Sequence, residues 1–376
     1  MESFLTQPFV YSDQDLVRRV VRSQGCETLE KLSKFDKRLR STWTEKMEHG
    51  LFRYPLEDLK TRILPGPYGF VAQLNIMRGQ ERRKPQQIFS IRQQFDSEQF
   101  NFNKIHSHEI LFQMSKQNSN EADVEPQFKD ITSRCNENGL EGARDKVIVV
   151  INVSPLEFGH CLFIPEPTHC MPQILTASAI QTGIESVFLS ADSGFRVGFN
   201  SLGAFASVNH LHLHGYYLDS ELRIESAPTE PLVPKKGFHR LIDFPSGFLF
   251  YTEGECLHET ATVIWQLTNF LVERNVAHNM FLTRGCPPGK RHEPALSRSG
   301  VRIIVWPRIS CFGAKEESAF NVALCELAGH LPFKNRRDFD AITESEVKTI
   351  IQKYLLPGDE FTQLQSELCK QLHVHQ

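Results

Sequence analysis

The sequence predicts an α+β fold in which an antiparallel sheet carries flanking helices. Between residues 146 and 217, the patterns follow the order strand, strand, helix, strand, strand. A similar rhythm of strands and helices recurs between residues 247 and 328. The recurrence favours two similar halves, although no residue-level period proves a duplication.

The first half contains the clearest strand patterns. Residues 146–152 form a β-branched run typical of a buried strand, residues 154–159 supply a turn, and residues 160–165 return as its partner. A hairpin is therefore expected. A helical pattern over 173–189 leads to a strand at 195–200 and then to a histidine-rich strand over 207–217.

The second half and the two ends have weaker patterns. Helices are expected near 12–21, 28–47, 260–274, 320–328 and 343–355, and strands at 70–75, 247–251, 279–283 and 301–306. We expect a helical segment over 1–60, a first half over 61–227 with a polar insertion near 115–145, and a second half with a helical tail over 228–376. The last histidines, His373 and His375, are predicted to lie in a frayed terminus.

Composition narrows the function classes. The 376 residues include 42 Lys plus Arg against 45 Asp plus Glu, so the total charge proposes neither a nucleic acid nor a membrane surface as partner. There is no apolar run of about 18 residues that could span a membrane, and no secretory signal at the amino end. Nine scattered cysteines favour reduced thiols over a disulfide framework. A cytoplasmic protein is expected.

The central functional candidate is the stretch Ser207-Val208-Asn209-His210-Leu211-His212-Leu213-His214. In a strand, side chains two residues apart share a face, so the three imidazoles would line one wall while the leucines enter the core. Alternate positions lie roughly 6.5–7 Å apart, which allows the outer rings to flank the central ring and a small anion. From spacing alone, phosphate chemistry and a metal site both remain open.

Other candidates accompany this stretch. Gln73 and Asn75 share a face of the strand at 70–75, and Arg78 opens a basic cluster that continues with Arg82, Arg83 and Lys84. A guanidinium group can donate two parallel hydrogen bonds to phosphate oxygens. A cluster of basic residues of this kind is also found simply on solvent-exposed loops. A second His-x-His, at His106 and His108, lacks an evident third metal ligand.

The histidine stretch, with Asn200 before it, resembles the signature of the histidine triad superfamily. Asn152, Gly159-His160 and Ile164-Pro165 fit the hairpin that precedes the signature in that fold. Further segments are similar to the GDP-hexose phosphorylases within that superfamily, namely 67–75, 108–112, 215–218 and 326–331. The likeness is greatest to the animal members that act on GDP-glucose, because the plant members that act on GDP-L-galactose have Gln where this chain has His214.

The resemblance to the superfamily is strong over about 146–218 and implies a histidine-triad-like catalytic half over 61–227. The similar order of strands and helices is what predicts a second, degenerate half over 228–376. The resemblance also implies that His212 attacks the α-phosphorus of GDP-glucose, releases glucose 1-phosphate and holds GMP until inorganic phosphate yields GDP. His210, His214, Ser207 and Asn200 would orient the ring and neutralise phosphate charge. A backbone carbonyl near His210 would fix the tautomer of His212. The family mechanism needs no metal or cofactor, and relatives of this kind are monomers or homodimers.

Three alternatives stay open. A nucleotide-sugar hydrolase or a nucleotidyltransferase of the same superfamily would differ only in the acceptor. A guanine-nucleotide-binding protein without catalysis would have the same site and no turnover. A zinc site or a purely structural histidine cluster would explain the spacing without phosphorus chemistry.

Overall fold

The computed structural model describes residues 8–20, 32–57, 59–81, 86–117, 146–289, 298–312 and 319–374. The expected polar insertion near 115–145 falls almost wholly outside these ranges, as do Arg82, Arg83 and Lys84. Within the described ranges, no helix is both long and apolar enough to cross a membrane.

Eleven strands form one sheet. They are β1 (Phe9–Tyr11), β4 (Ile110–Lys116), β5 (Val147–Ile151), β6 (Cys161–Pro165), β7 (Phe195–Asn200), β8 (Leu213–Tyr217), β9 (Thr229–Val233), β10 (Phe238–Leu241), β11 (Phe248–Thr252), β12 (Ala277–Gly285) and β13 (Gly300–Arg308). Their order is β1-β4-β5-β6-β8-β7-β12-β13-β11-β10-β9. The β1–β4 pair is parallel, and the other neighbours are antiparallel. The α+β class with an antiparallel-rich sheet is confirmed.

The two halves of this sheet have the same topology. Outward from the central β7–β12 pair, the order is β7-β8-β6-β5-β4 on one side and β12-β13-β11-β10-β9 on the other. Each half follows the sequence of three strands, one helix and two strands, with α3 (Ala177–Leu189) and α4 (Leu257–Glu273) as the helices. The recurrence of elements in the sequence therefore corresponds to a repeated arrangement in space.

Helices cover one face of the sheet. They are α1 (Lys34–Glu48), α3, α4 and α8 (Gly358–Val374), which pack into one apolar core with inward residues such as Phe112, Val197 and Leu282. Burial of this apolar surface is the main stabilising contribution to the fold.

The opposite face carries a second layer that the sequence did not reveal. It contains a three-stranded sheet of order β14-β3-β2, built from β2 (Lys60–Ile63), β3 (Val71–Leu74) and β14 (His330–Phe333). With it lie α5 (Leu324–Ala328), α6 (Arg336–Ala341) and α7 (Glu344–Gln352), while α2 (Ile76–Gln80) directly follows β3. This layer joins residues from both ends of the chain.

Several expected elements differ at their ends. Ser12 caps a helix start as predicted, with a capping box to Asp15, but the helix is a single 3₁₀ turn at Asp13–Asp15. The helix expected over 28–47 begins at Lys34. His373 belongs to α8 instead of a frayed end, and His375 lies outside the described residues. The hairpin of β5 and β6 is confirmed, with Val149 paired to Phe163.

The histidine strand is also shorter than expected. Strand β8 includes His214 but begins only at Leu213, so His210 and His212 precede it. Alternation still holds for the leucines, because Leu211 and Leu213 are fully buried in the core. The prediction of three imidazoles on one strand face is therefore wrong for His210 and His212, because both precede the strand.

Candidate active site

A cavity of about 370 Å³ lies where the layer of β2, β3 and β14 meets the sheet at β8. Four stretches of chain contribute to its wall: the β3–α2 junction, the β5–β6 hairpin, the segment from β7 to β8, and residues 321–334. The polar side chains on the wall include Asn75, Arg78, His160, Asn200, Ser207, His214, Asn321, Glu326 and Lys334. Both ends of the chain therefore complete one site.

His212 is not one of the residues that line the cavity, but its ring centroid lies 5.1 Å from that of His214 on the wall, and its tautomer is defined. Its Nδ1 is 2.7 Å from the carbonyl oxygen of His210. Because a carbonyl can only accept, Nδ1 carries the proton and Nε2 keeps its lone pair. The side chain is 3% exposed, and burial lowers the pKa of His212 to about 4. The ring is therefore neutral at physiological pH and has a free nucleophilic nitrogen.

The main chain of His212 is held by Gln173 instead of by a strand ladder. The Gln173 side-chain oxygen accepts the His212 N–H at 2.9 Å, and its amide nitrogen donates to the carbonyls of Asn200 at 3.0 Å and of His212 at 3.2 Å. The side chain of Gln173 is fully buried. These bonds replace ladder pairing at His212, which is why β8 begins one residue later.

His214 reaches the cavity wall and is oriented by His160. The Leu156 N–H donates to Nδ1 of His160 at 2.8 Å, so Nε2 of the neutral His160 ring carries the proton. That Nε2 lies 3.1 Å from Nδ1 of His214 and donates to it. The remaining proton of neutral His214 is therefore on Nε2, which makes this ring a hydrogen-bond donor. The His212 and His214 ring centroids are 5.1 Å apart.

His210 is placed away from the cavity. Its ring is fully buried, and its Nδ1 accepts the Phe102 N–H at 3.0 Å. The ring packs against Phe95 and Phe102, with centroids 5.2 and 5.6 Å away, and burial lowers the pKa of His210 to about 4. Its direct link to the site is the carbonyl that fixes the His212 tautomer.

Asn200 and Ser207 both line the cavity, as the sequence suggested. The side-chain oxygen of Asn200 already accepts from the Asn279 amide at 2.6 Å and from the Leu324 N–H at 3.0 Å. Its amide nitrogen is therefore the part that can donate to a ligand. Ser207 is half-buried, and its carbonyl accepts the Gln86 N–H at 3.1 Å.

The candidates near residue 75 divide into two groups. Asn75 and Arg78 line the cavity. Asn75 caps α2 by accepting the Arg78 N–H at 3.0 Å, and the Arg78 guanidinium donates to the Ser154 carbonyl. Gln73 is buried away from the cavity wall, where it donates to the Glu157 carboxylate. The shared strand face thus did not bring Gln73 into the site.

Several residues of the wall have little or no signal in the sequence. The resemblance places His160 in the hairpin, but no local pattern indicates its contact with His214. Glu326 and Lys334 come from α5 and from the end of β14, and burial raises the pKa of the Glu326 carboxyl. Only the position of Glu326 within a segment similar to the phosphorylases gave any signal, because contacts between distant segments leave no local pattern.

The described residues contain no group of three or more metal-ligating side chains placed to hold an ion. His106 and His108 are exposed, and their stacked ring centroids lie 5.1 Å apart. Both are distant in sequence from His210, His212 and His214. Nδ1 of His212 instead donates a hydrogen bond to the carbonyl of His210. A neutral imidazole with an unprotonated ring nitrogen is chemically able to act as a nucleophile.

The chain is similar to known proteins over most of its length. Residues 34–216 match the family model "GDPGP1-like, N-terminal domain", and residues 223–375 match "GDPGP1-like, C-terminal domain". The chain is 58% identical to GDP-D-glucose phosphorylase 1 of Danio rerio, over 96% of this chain and 98% of the relative. It is 47% identical to the protein of the same name from Homo sapiens, over 96% of this chain and 90% of the relative.

More distant relatives extend the comparison. GDP-L-galactose phosphorylase 2 of Arabidopsis thaliana is 29% identical over 86% of this chain and 73% of that protein. Among solved structures, yeast Ap4A phosphorylase Apa2 in complex with Ap4A superposes with a TM-score of 0.54. The two chains are 12% identical, and the superposition covers 86% of this chain and 98% of the other. At this identity the likeness concerns the fold alone.

Proposed function

Because the chain belongs to the GDPGP1-like family of GDP-D-glucose phosphorylases, we propose that it converts GDP-glucose and inorganic phosphate into glucose 1-phosphate and GDP. The substrates are then small molecules, a nucleotide sugar and phosphate. The contact between His212 Nδ1 and the His210 carbonyl carries the mechanistic part of the proposal.

In the first displacement, Nε2 of His212 attacks the α-phosphorus of GDP-glucose. A P–N bond forms, the bond from the α-phosphorus to the bridging oxygen breaks, and glucose 1-phosphate leaves with the electron pair. Nδ1 keeps its proton, and the His210 carbonyl stabilises the positive charge that develops on the ring. Glucose 1-phosphate is a good leaving group, so the step needs no strong general acid.

In the second displacement, a phosphate oxygen attacks the phosphorus of the GMP adduct. The new P–O bond forms GDP, and the P–N electron pair returns to Nε2 of His212. In this proposal His214 and the Asn200 amide donate to the nonbridging oxygens in both steps, which is supported by their place on the cavity wall beside Ser207. The role of His210 is carried by its carbonyl and not by a ring facing the substrate.

We also propose a cytoplasmic monomer or homodimer. The seven cysteines in the described ranges are all free thiols, which supports a reducing compartment. Analytical ultracentrifugation of the full chain separates monomer from dimer, and fractionation of cells locates the protein.

Product identification tests the proposed reaction. The protein is incubated with GDP-glucose, with and without inorganic phosphate, and the nucleotides are separated by chromatography. We expect GDP and glucose 1-phosphate only when phosphate is present. GMP as the main nucleotide product in the presence of phosphate would establish hydrolysis instead, and a chain that binds GDP-glucose without any turnover would be a binding protein.

A further inference from the structure

We propose that the Tyr216 hydroxyl and the Glu326 carboxyl form the subsite that binds hydroxyl groups of the hexose in GDP-glucose. In this subsite Tyr216 donates a hydrogen bond to the sugar, and Glu326 accepts one from it. The inference rests on the proposed function and adds to it two residues that recognise the hexose.

The Tyr216 hydroxyl is a buried polar group that lacks a partner. Tyr216 lines the cavity from β8, two residues after His214, and therefore lies on the same strand face as that residue. Its side chain is fully buried, and its hydroxyl has no hydrogen-bond partner within the described ranges. Buried hydroxyls are nearly always hydrogen-bonded, because an unpaired one has lost its bonds to water without compensation. A polar group of a ligand in the cavity would supply the missing bond.

The rings next to Tyr216 do not supply this bond. The His160 ring centroid lies 5.9 Å away, and its nitrogens are engaged with the Leu156 N–H and with His214. The His330 ring centroid lies 5.8 Å away, and neither of its nitrogens has a hydrogen-bond partner within the described ranges. Burial lowers the pKa of His330 to about 3, so this ring is neutral at physiological pH. A neutral neighbour suits an uncharged polar partner for Tyr216 better than an ion.

The Glu326 carboxyl is the second group of the subsite. Glu326 lines the cavity from α5. Among the described residues, its hydrogen bonds come from the Ala323 N–H at 2.9 Å and the Cys325 thiol at 3.1 Å, and both end on Oε2. Arg78 interacts with this carboxyl through its charge, while its guanidinium donates to the Ser154 carbonyl. Oε1 of Glu326 therefore keeps its capacity to accept a hydrogen bond from a ligand.

Packing at Gly198 brings α5 close to Tyr216. Gly198 lies in β7 opposite His214, and a Cβ atom there would lie 2.9 Å from Cδ1 of Leu324 at the start of α5. The missing side chain lets α5 pack directly on the sheet face that carries Tyr216. Burial raises the pKa of the Tyr216 hydroxyl, and electrostatic interactions with neighbours that include Glu326 add to this shift. The hydroxyl therefore keeps its proton and can donate.

A pair of one donor and one acceptor fits a sugar better than a phosphate. A sugar hydroxyl both donates and accepts, so the hydroxyls of a hexose can satisfy Tyr216 and Glu326 together. A phosphate dianion has no proton to donate to Glu326, and a carboxylate would repel it. The cavity also has apolar side chains that can cover the C–H faces of a sugar ring, namely Leu156, Phe205, Ala323, Leu324 and Pro332.

The half-reactions separate recognition of the hexose from every other role. GDP-glucose forms the GMP adduct on His212 with release of glucose 1-phosphate. GDP forms the same adduct with release of inorganic phosphate, by the reverse of the second displacement. In this second case the P–N bond forms as the bond from the α-phosphorus to the bridging oxygen breaks, and phosphate leaves with the electron pair. Only the first substrate contains a hexose.

Rapid-quench kinetics with labelled GDP-glucose and labelled GDP measures both rates of adduct formation. For Tyr216→Phe we expect the second-order rate constant with GDP-glucose to fall about three- to tenfold, and for Glu326→Gln about tenfold, because each variant loses one hydrogen bond to the sugar. The rate constant with GDP should stay within about twofold of that of the unaltered protein. A role in folding or in binding phosphate would slow both reactions.

Deoxy analogues of GDP-glucose provide a test that does not depend on detecting the adduct. Each analogue lacks one hydroxyl of the hexose, and steady-state phosphorolysis gives kcat/KM for each of them. The loss of kcat/KM caused by Tyr216→Phe should disappear with the analogue that lacks the partner of Tyr216, because the two changes remove the same interaction. An equal loss with GDP-glucose and with every deoxy analogue would contradict the subsite.

A matched variant controls for the removal of a tyrosine hydroxyl. Tyr251→Phe removes a hydroxyl that donates to Glu253 outside the cavity wall, and it should leave both rate constants unchanged. Tyr216→Phe removes a hydroxyl that has no partner in the folded chain, so its thermal unfolding temperature without ligand should not fall. Circular dichroism of each variant reports whether it is folded.

The outcomes separate this inference from the proposed function. If the unaltered protein makes no GDP from GDP-glucose and phosphate, the proposed function fails. If it does so, and folded Tyr216→Phe or Glu326→Gln reacts with GDP-glucose at the normal rate or is slowed equally with GDP, the function stands and the hexose subsite is wrong. A loss confined to GDP-glucose in both variants would support the subsite.

Discussion

Nδ1 of His212 lies 2.7 Å from the carbonyl oxygen of His210, two residues earlier in the same segment. This contact is local, so the segment that contains His212, the proposed nucleophile, also supplies the group that fixes the tautomer of its ring. Gln173 then fixes the backbone of the segment from outside it. Two independent hydrogen bonds, one to the ring and one to the main chain, therefore fix the orientation of His212, the proposed nucleophile.

Removal of the Gln173 side chain should slow chemistry more than it weakens binding. In Gln173→Leu, the His212 N–H loses its acceptor and two carbonyls lose a donor. We expect kcat to fall about 10- to 100-fold because a misplaced nucleophile loses alignment, while KM for GDP-glucose changes less than about threefold. Steady-state kinetics measures both values. In the control Gln181→Leu, the side chain removed lies on α3, donates to Glu185 and is not part of the cavity wall, so kcat should be unchanged.

Loss of the hydrogen bond that His160 donates should impair the function of His214. In His160→Leu, Nδ1 of His214 loses the hydrogen bond from Nε2 of His160, and with it that bond's preference for the tautomer protonated on Nε2. We expect kcat to fall about tenfold, equivalent to about 1.4 kcal/mol of transition-state stabilisation. His160→Gln has an amide that can still donate to His214, so its kcat should lie between that of the unaltered protein and that of His160→Leu. Equal kcat values for all three proteins would show that His214 needs no orienting partner.

Acid should destabilise the protein because several buried rings resist protonation. Burial lowers the pKa of His212 and of His278 to about 4 and that of His330 to about 3, against about 6.5 in the unfolded chain. Between these values the unfolded chain binds more protons than the folded one, so the free energy of unfolding falls as the pH falls. Each ring should account for about 2 kcal/mol between pH 7.5 and pH 5.

Urea denaturation at the two pH values measures this loss. His278 provides the control, because it lies outside the cavity wall and packs against Phe199. His278→Leu should reduce the pH dependence of unfolding by the share of one ring, while catalytic activity at pH 7.5 is retained. A free energy of unfolding that is the same at pH 7.5 and pH 5 would mean that these rings are protonated in the folded state.

The parts of the fold that the sequence predicted are those with strong local signals. The β-branched run of β5 and the turn after it were sufficient to predict the hairpin with β6. By contrast, β2 has the sequence Lys-Thr-Arg-Ile and β9 contains a proline, so neither has the alternation of a half-buried strand. Their pairing depends on neighbours far along the chain, which propensity does not report.

The candidate site shows the same limit. Spacing and resemblance together selected His212, Asn200 and Ser207, because these residues lie within one short segment. Gln173 and Lys334 reach the site only through tertiary packing, and no pattern around them in the sequence distinguishes them from ordinary polar residues. The His210 ring is buried against Phe102, more than 100 residues earlier in the chain. The alternation of side chains along a strand could not predict this contact, and it wrongly predicted that the ring shares a face with His212 and His214.

The central claim is that His212 carries GMP between the two displacements. The full-length protein is incubated with GDP-glucose in the absence of phosphate, quenched, digested and examined by mass spectrometry for a peptide with one added GMP group. We predict an acid-labile adduct on His212 that disappears when phosphate is added before the quench and is absent in His212→Asn. An adduct on another residue, or GDP formation by folded His212→Asn at the normal rate, would contradict the account.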